Sequence, residues 1–225
     1  MSVVAKKGVE RELVPSGSHV ARCIKIMHFG HVPNVNFHGQ NVITDIVRLI
    51  WELPNEMRTF NEEKGPQPMA IHREYTLSLA DKANLYKDLV GWRGKGFTQV
   101  ELDGFDIFNV LGVPCMLSVI HQPNKAGNDY AKVVAVSGLP KGTECPENIN
   151  PLFVWDYNQN YDEGVLENLH EWFRDKIKSS EEYKAKQMVG EEITGSEPNT
   201  QESPMPGLGD APPDDGGEYI NDLPF

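Results

Sequence analysis

A mainly β fold with α insertions, closed as a five-stranded barrel and followed by a C-terminal helix and a disordered acidic tail, is what this sequence predicts. Three observations lead there. Strand-like stretches recur near residues 19–29, 42–53, 69–79, 115–121 and 130–136. Helical spacing interrupts them between the third and the fourth. Composition then changes sharply at Gly190.

Residues 1–14 are charged and without period, and are expected to form a flexible N-terminus. The first strand, 19–29, is rich in β-formers, and GHVPNVNFHGQ (30–40) reads as a loop by its Gly, Pro and Asn. The second strand runs from Val42 to Leu53, where Pro54 closes it, and the polar stretch 55–68 reads as a mobile excursion. In the third, Met69, Ile71, Tyr75, Leu77 and Leu79 share one face, with Arg73 the polar intrusion.

The period then changes. Ser78 followed by Asp81 resembles a capping box, and Leu85, Leu89 and Trp92 recur at helical spacing until Gly94. A second short helix is expected from Thr98, with Glu101 three residues on, through Leu111-Gly112. Val113-Pro114 opens the fourth strand, PNKAGN (123–128) is a hairpin loop, and 130–136 returns as the fifth. Helices between strands three and four of a five-stranded series is the element order of an OB-fold barrel.

After Pro140, the connector KGTECPENINP leads to an apolar run at 152–157. A helix from 163 to about 186 carries Leu166, Leu169, Trp172, Phe173 and Ile177 on one side and is expected to pack on the barrel. From Gly190 the chain is rich in Gly, Pro, Ser and acids, a composition that buries too little surface to offset its ordering entropy. The expected organisation is a flexible N-terminus (1–14), a barrel domain (15–141), a connector with its helix (142–189) and a disordered acidic tail with a terminal docking motif (190–225).

The formal charge of −12 misleads until it is partitioned. All 21 Lys and Arg lie between Lys6 and Lys186, while nine of the 33 acids lie after Gly190. The body is therefore near −3 and the last 36 residues carry −9. A nearly neutral body can hold a polyanion if its bases gather on one face. Three widely spaced cysteines without a C-x-x-C motif suit a reducing interior, and no signal-like or membrane-length apolar run occurs, so a cytoplasmic protein is expected.

Two features carry the functional expectation. The first is the terminus, DDGGEYINDLPF. Asp214, Asp215, Glu218 and Asp222 surround an apolar anchor that ends in Leu223, Pro224 and Phe225. Such an anchor on a flexible leash suits a basic-rimmed apolar recess on a partner: the anchor supplies burial and the acids supply steering. This tip resembles the acidic tips of bacterial and phage single-stranded-DNA-binding proteins, although its acids are spread more loosely than the consecutive aspartates typical there. The resemblance implies recruitment of replication, repair and recombination proteins.

The second is the body. Tyr75-Thr76-Leu77-Ser78-Leu79, Lys82-Ala83, Leu89 to Trp92-Arg93-Gly94-Lys95, Leu111-Gly112-Val113-Pro114-Cys115 and Leu139-Pro140-Lys141-Gly142 are similar to a phage single-stranded-DNA-binding family with an OB fold. The similarity spans roughly residues 15–185 in scattered short motifs. It implies sequence-independent single-strand binding in phage replication and recombination, inside the cytoplasm of a bacterial host, without catalysis or cofactor. Single strands are held by a basic groove with aromatic faces on which bases stack. In OB folds strands two and three and the loops beside them form that groove. Candidates there are Phe37 in the first loop, Arg48, Trp51 and Arg58 along strand two, Arg73 and Tyr75 on strand three, and Lys125, Tyr130 and Lys132 on the last hairpin. A homo-oligomer is compatible with this composition.

Other chemistries fare worse. Gly91-Trp92-Arg93-Gly94-Lys95-Gly96 lacks the GKS or GKT ending of a phosphate-binding loop. His28, His31 and His38 match no common metal spacing and have no sequence-adjacent Cys or carboxylate, so no metal is expected. Glu62-Glu63-Lys64 and Glu101-Leu102-Asp103 are the acid groups a metal-dependent nuclease could use, but both stand where acids are common anyway. A protein-only adaptor is the third reading.

Overall fold

The computed structural model describes residues 12–36, 38–124, 126–157 and 161–194. The chain folds as a mainly β protein. Strands β1 (Gly17–Val35), β2 (Asn41–Asn61) and β3 (Gly65–Thr76) precede helices α1 (Asn84–Arg93) and α2 (Gln99–Gly104). A 3₁₀ turn (Ile107–Val110) leads to β4 (Pro114–Pro123) and β5 (Asp129–Ser137). A short β6 (Phe153–Trp155) then precedes α3 (Glu163–Asn168), α4 (Glu171–Lys178) and α5 (Glu181–Thr194).

The five long strands form one antiparallel path, β3-β2-β1-β4-β5, and β6 adds to β1 in parallel. The sheet curls into a half-barrel whose end strands, β3 and β5, approach each other. Helix α1 packs against both. Its contact with β5 is backbone to backbone: the Gly138 N–H donates to the Gly91 carbonyl at 3.1 Å. A Cβ on Gly91 would lie 2.6 Å from the Val136 carbonyl oxygen, so only glycine allows this approach.

Several boundaries differ from the sequence reading, each for a non-local reason. Residues 30–35 are strand rather than loop, because Gly30 to Val35 pair with Ile46 to Asn41 across a turn at 36–40. Pro54 does not end β2. The register passes from Leu53↔Met69 to Met57↔Pro68, leaving 54–56 without ladder partners, so the missing N–H removes no ladder bond. The stretch 55–68 is accordingly a long β2–β3 hairpin. Helix α1 starts at Asn84 after an Ala83 cap that makes no side-chain hydrogen bond, so Ser78 and Asp81 do not cap it. Gly94, left-handed at φ 67°, does end it. Thr98 and Glu101 form a reciprocal capping box, but α2 stops after six residues. The single C-terminal helix is three, broken at Leu169-His170 and Ser179-Ser180.

The curled sheet separates two cores. The inner one joins Ile26, Val47, Leu49, Trp51, Leu53, Met69, Ile71 and Leu117 to Leu85, Leu89 and Trp92 of α1. The outer one lies on the opposite face, where Ile24, Met27, Phe29, Ile46 and Ile50 meet Trp155, Tyr157, Leu166, Phe173 and Ile177. The connector is lashed down by two charged side chains. Arg22 donates to the Gly112, Cys145 and Pro146 carbonyls, and fully buried Glu52 accepts from the Ile149 and Asn150 backbone N–H groups. No described helix is long and apolar enough to cross a membrane.

Candidate nucleic-acid interface

The outer face of β1–β2–β3 owes its chemistry to one irregularity. Ala21 and Cys23 face the inner core, and strict alternation would send Lys25 there too. A bulge between Cys23 and Lys25 makes Ile24 an extra residue. Lys25 then pairs with Ile50 on the outer face, and Ile26 returns to the inner core. A bulge re-aims a side chain in this way wherever one residue exceeds the ladder count. Lys25, Ile50 and His72 thus form one row across the three strands, and Met27, Arg48 and Glu74 the next.

Between this face and helices α3 and α4 lies a cleft of about 600 Å³. Ile50 and Phe173 give it apolar walls, Phe153 a ring, and Lys25, Lys64, Asn168 and His170 its polar groups. Among the described residues that line it, none is acidic. Lys25 is 3% exposed, with Nζ 5.5 Å from the Phe153 ring centroid. Burial in these surroundings lowers its pKa to about 8, because the charged form loses hydration. Lys64 stands exposed near the tip of the β2–β3 hairpin.

Most of the residues expected to form a groove are employed otherwise. Trp51 is fully buried, its ring 6.1 Å from that of Trp92, because β2 turns Val47, Leu49, Trp51 and Leu53 inward together. Tyr75 is 3% exposed and donates its hydroxyl to Asp88 Oδ2 at 2.8 Å, while Arg73 Nη1 donates to the same oxygen at 2.7 Å. Both side chains therefore anchor α1 to β3, and burial drives the Tyr75 pKa well upward. Tyr130 is also buried. Stacking of bases on Trp51, Tyr75 or Tyr130 is incompatible with these positions. Arg48 is enclosed: it pairs with Glu74 at 2.8 Å and lies 3.9 Å from the Trp172 ring centroid. Glu74 also takes Lys176 of α4 at 2.6 Å. Arg58 remains partly open and pairs with Glu12 at 2.6 Å, and half-buried Lys132 reaches Gln122 at 3.4 Å. Phe37, Lys125 and the tip residues from Asp214 to Phe225 lie outside the described residues.

Two of the three clustered histidines are strand residues, while His38 sits in the turn before β2. His28 and His31 belong to β1, and carboxylates that are distant in sequence surround them. The ring nitrogens of His28 meet Asp156 Oδ1 at 3.0 Å and Asp45 Oδ1 at 2.8 Å, which joins β1, β2 and the segment after β6. His31 Nδ1 meets Glu182 of α5 at 2.6 Å. Among the described residues, no group of three or more His, Cys, Asp or Glu could hold a metal ion.

The His28 clamp makes stability depend on pH. Burial alone would lower its pKa, but the hydrogen bonds and charges of Asp45 and Asp156 outweigh it and raise the value. A group whose pKa is raised on folding contributes fully below its unfolded value, near 6.5, and loses that contribution as pH climbs through the folded one. The melting temperature is expected to fall from pH 6 to pH 8. In Asp156→Asn the fall should shrink, and an equally steep fall in that variant would show that the clamp is not its source.

The cleft-lining residues that sequence reasoning missed are Lys64, Phe153 and Phe173. Lys25 is among the bases, with Arg22, Lys82, Lys87, Arg93 and Lys95, that the sequence leaves open between groove and solvated surface. One signal was present: a lysine inside the apolar run Cys23-Ile24-Lys25-Ile26-Met27 needs a reason to be there. No protein-family model and no curated protein matches this chain.

Proposed function

We propose that this chain is a non-catalytic, sequence-independent single-stranded-DNA-binding protein of phage replication and recombination. It holds the strand on the outer β1–β2–β3 face of an OB-type barrel and recruits partner enzymes through its C-terminal tip. The observation that carries the reading is the cleft on that face, where two lysines and two phenylalanine rings meet with no acid among the described lining residues. The strand path supports it: β1 lies between β2 and β4, β3 approaches β5, and the helices between β3 and β4 close the gap, as an OB barrel requires. In OB folds this face is the one that takes oligonucleotides. Lys25, Lys64 and Phe153 replace Trp51 and Tyr75 as the contacts, with Arg58 and Lys132 at the periphery. The nuclease alternative loses ground at Glu101, whose carboxylate accepts from the Thr98 backbone N–H and pairs with Arg93.

The test is a fluorescence titration with oligo-dT, oligo-U and duplex DNA at two salt concentrations. Oligo-dT should bind tightly and duplex weakly, with log affinity falling by ~0.7 per neutralised phosphate for each decade of salt. Equal affinity for duplex, or binding indifferent to salt, rejects the reading. The tip is tested beside it. Deleting Phe225 should leave oligo-dT affinity unchanged and abolish capture of replication proteins, whereas a protein-only adaptor keeps capture and lacks oligonucleotide binding. Removing 190–225, which takes away nine acids, should tighten DNA binding at low salt by removing a tethered polyanion.

A further inference from the structure

We propose that the cleft between β1–β2 and α3–α4 binds a single nucleotide unit, its base laid on Phe153 against the apolar wall of Ile50 and Val165 and its phosphate at Lys25 and Lys64. The inference rests on the single-strand reading above and deepens it: the strand does not merely lie across the sheet but surrenders one base to a half-open recess between sheet and helices. Volume is the first argument. About 600 Å³ lies within the usual range for small-molecule sites, and suits a nucleotide rather than a peptide helix or a second sheet.

Charge is the second. The body carries a slight excess of acids, yet the described residues lining this recess include Lys25, Lys64 and His170 and no Asp or Glu. An anion is the ligand such a lining favours, and an apolar, aromatic interior favours a planar ring attached to it.

The third argument is the bulge. Were Ile24 paired in regular alternation instead of bulged, Lys25 would face the inner core like Cys23, where an ammonium is costly. With it, the ammonium is delivered to the wall of the recess, beside the Phe153 ring, at 3% exposure. A nearly dry cation gains more from a phosphate than an exposed one does. Its lowered pKa of about 8 adds a signature: in the unoccupied site Lys25 sheds its charge on mild alkalinisation, so anion affinity should fall as pH rises through 8.

The experiment uses the full chain, with dTMP, thymidine and oligo-dT as ligands, by calorimetry at pH 7 and pH 9. Wild type is compared with Lys25→Met, which keeps the stem, Lys25→Arg, which keeps the charge, and Val165→Trp, which fills the recess from α3. Wild type should bind dTMP about tenfold tighter than thymidine at pH 7, and that preference should decline at pH 9. Lys25→Met should abolish the preference and weaken oligo-dT about tenfold. Lys25→Arg should restore the preference and remove its pH dependence, and Val165→Trp should weaken both ligands while melting like wild type. Normal oligo-dT and dTMP binding by folded Lys25→Met and Val165→Trp overturns the nucleotide site and leaves the single-strand function standing. Wild type that ignores oligo-dT but binds dTMP with the Lys25 pattern overturns the function and supports the site.

Discussion

Truncation of Trp51 to alanine is expected to cost ~3–5 kcal/mol of folding stability and to leave single-strand binding by the folded fraction unchanged. The side chain is fully buried and packs its ring against Trp92. Its strand neighbours are Cys23 on β1 and Ile71 on β3, both in the inner core. Removing the indole opens a cavity between the sheet and α1 that a backbone-to-backbone helix contact cannot collapse to fill. For a chain of this size, the loss corresponds to a melting temperature roughly 6–20 °C lower. Calorimetry beside an oligo-dT titration at a temperature where the variant is folded checks both halves. A variant that melts like wild type but binds weakly would return Trp51 to the interface.

Replacement of Glu52 by alanine is the second large effect, expected near ~3 kcal/mol. Its carboxylate, fully buried, accepts from Ile149 N–H at 2.8 Å, Asn150 N–H at 2.9 Å and Asn150 Nδ2 at 2.6 Å. Hydrogen bonds to a charged acceptor are worth more than neutral ones, and these hold an irregular connector that has little apolar anchorage: Ile149 is 64% exposed and Leu152 46%. Loss of the acceptor should release 145–152 and expose it to proteolysis before the barrel unfolds. Glu52→Gln, which retains one carbonyl acceptor, should fall between wild type and alanine. Limited proteolysis with mass mapping checks this, and cleavage first appearing elsewhere would refute it. The connector leads into β6, whose Phe153 lines the cleft, so Glu52→Ala should also weaken dTMP binding.

Much of the local architecture was legible in the sequence. The positions of all five long strands, the helical insertion between β3 and β4, the stop at Gly94 and the Thr98 capping box are products of short-range preference: period, cap chemistry and glycine's left-handed freedom act within a few residues. The boundary expected at Gly190 was not legible: α5 runs on to Thr194, and residues 195–225 lie outside the described residues. Tertiary structure decided what depends on pairing. Residues 30–35 and 57–61 became strand because partners at 41–46 and 65–68 completed their ladders, despite Gly30, Pro33 and Pro54. The C-terminal apolar run broke into three helices, at Leu169-His170 and Ser179-Ser180, where the His170 side chain accepts from the Trp172 N–H and starts a new helix. The candidate interface depended on tertiary structure most. Sequence placed Trp51 and Tyr75 in a groove by residue type, whereas the register of β2 on β1 and β3 turned them inward, and a single bulged residue turned Lys25 outward. A one-residue change in strand register reverses every face it touches, and that register is set by contacts dozens of residues away.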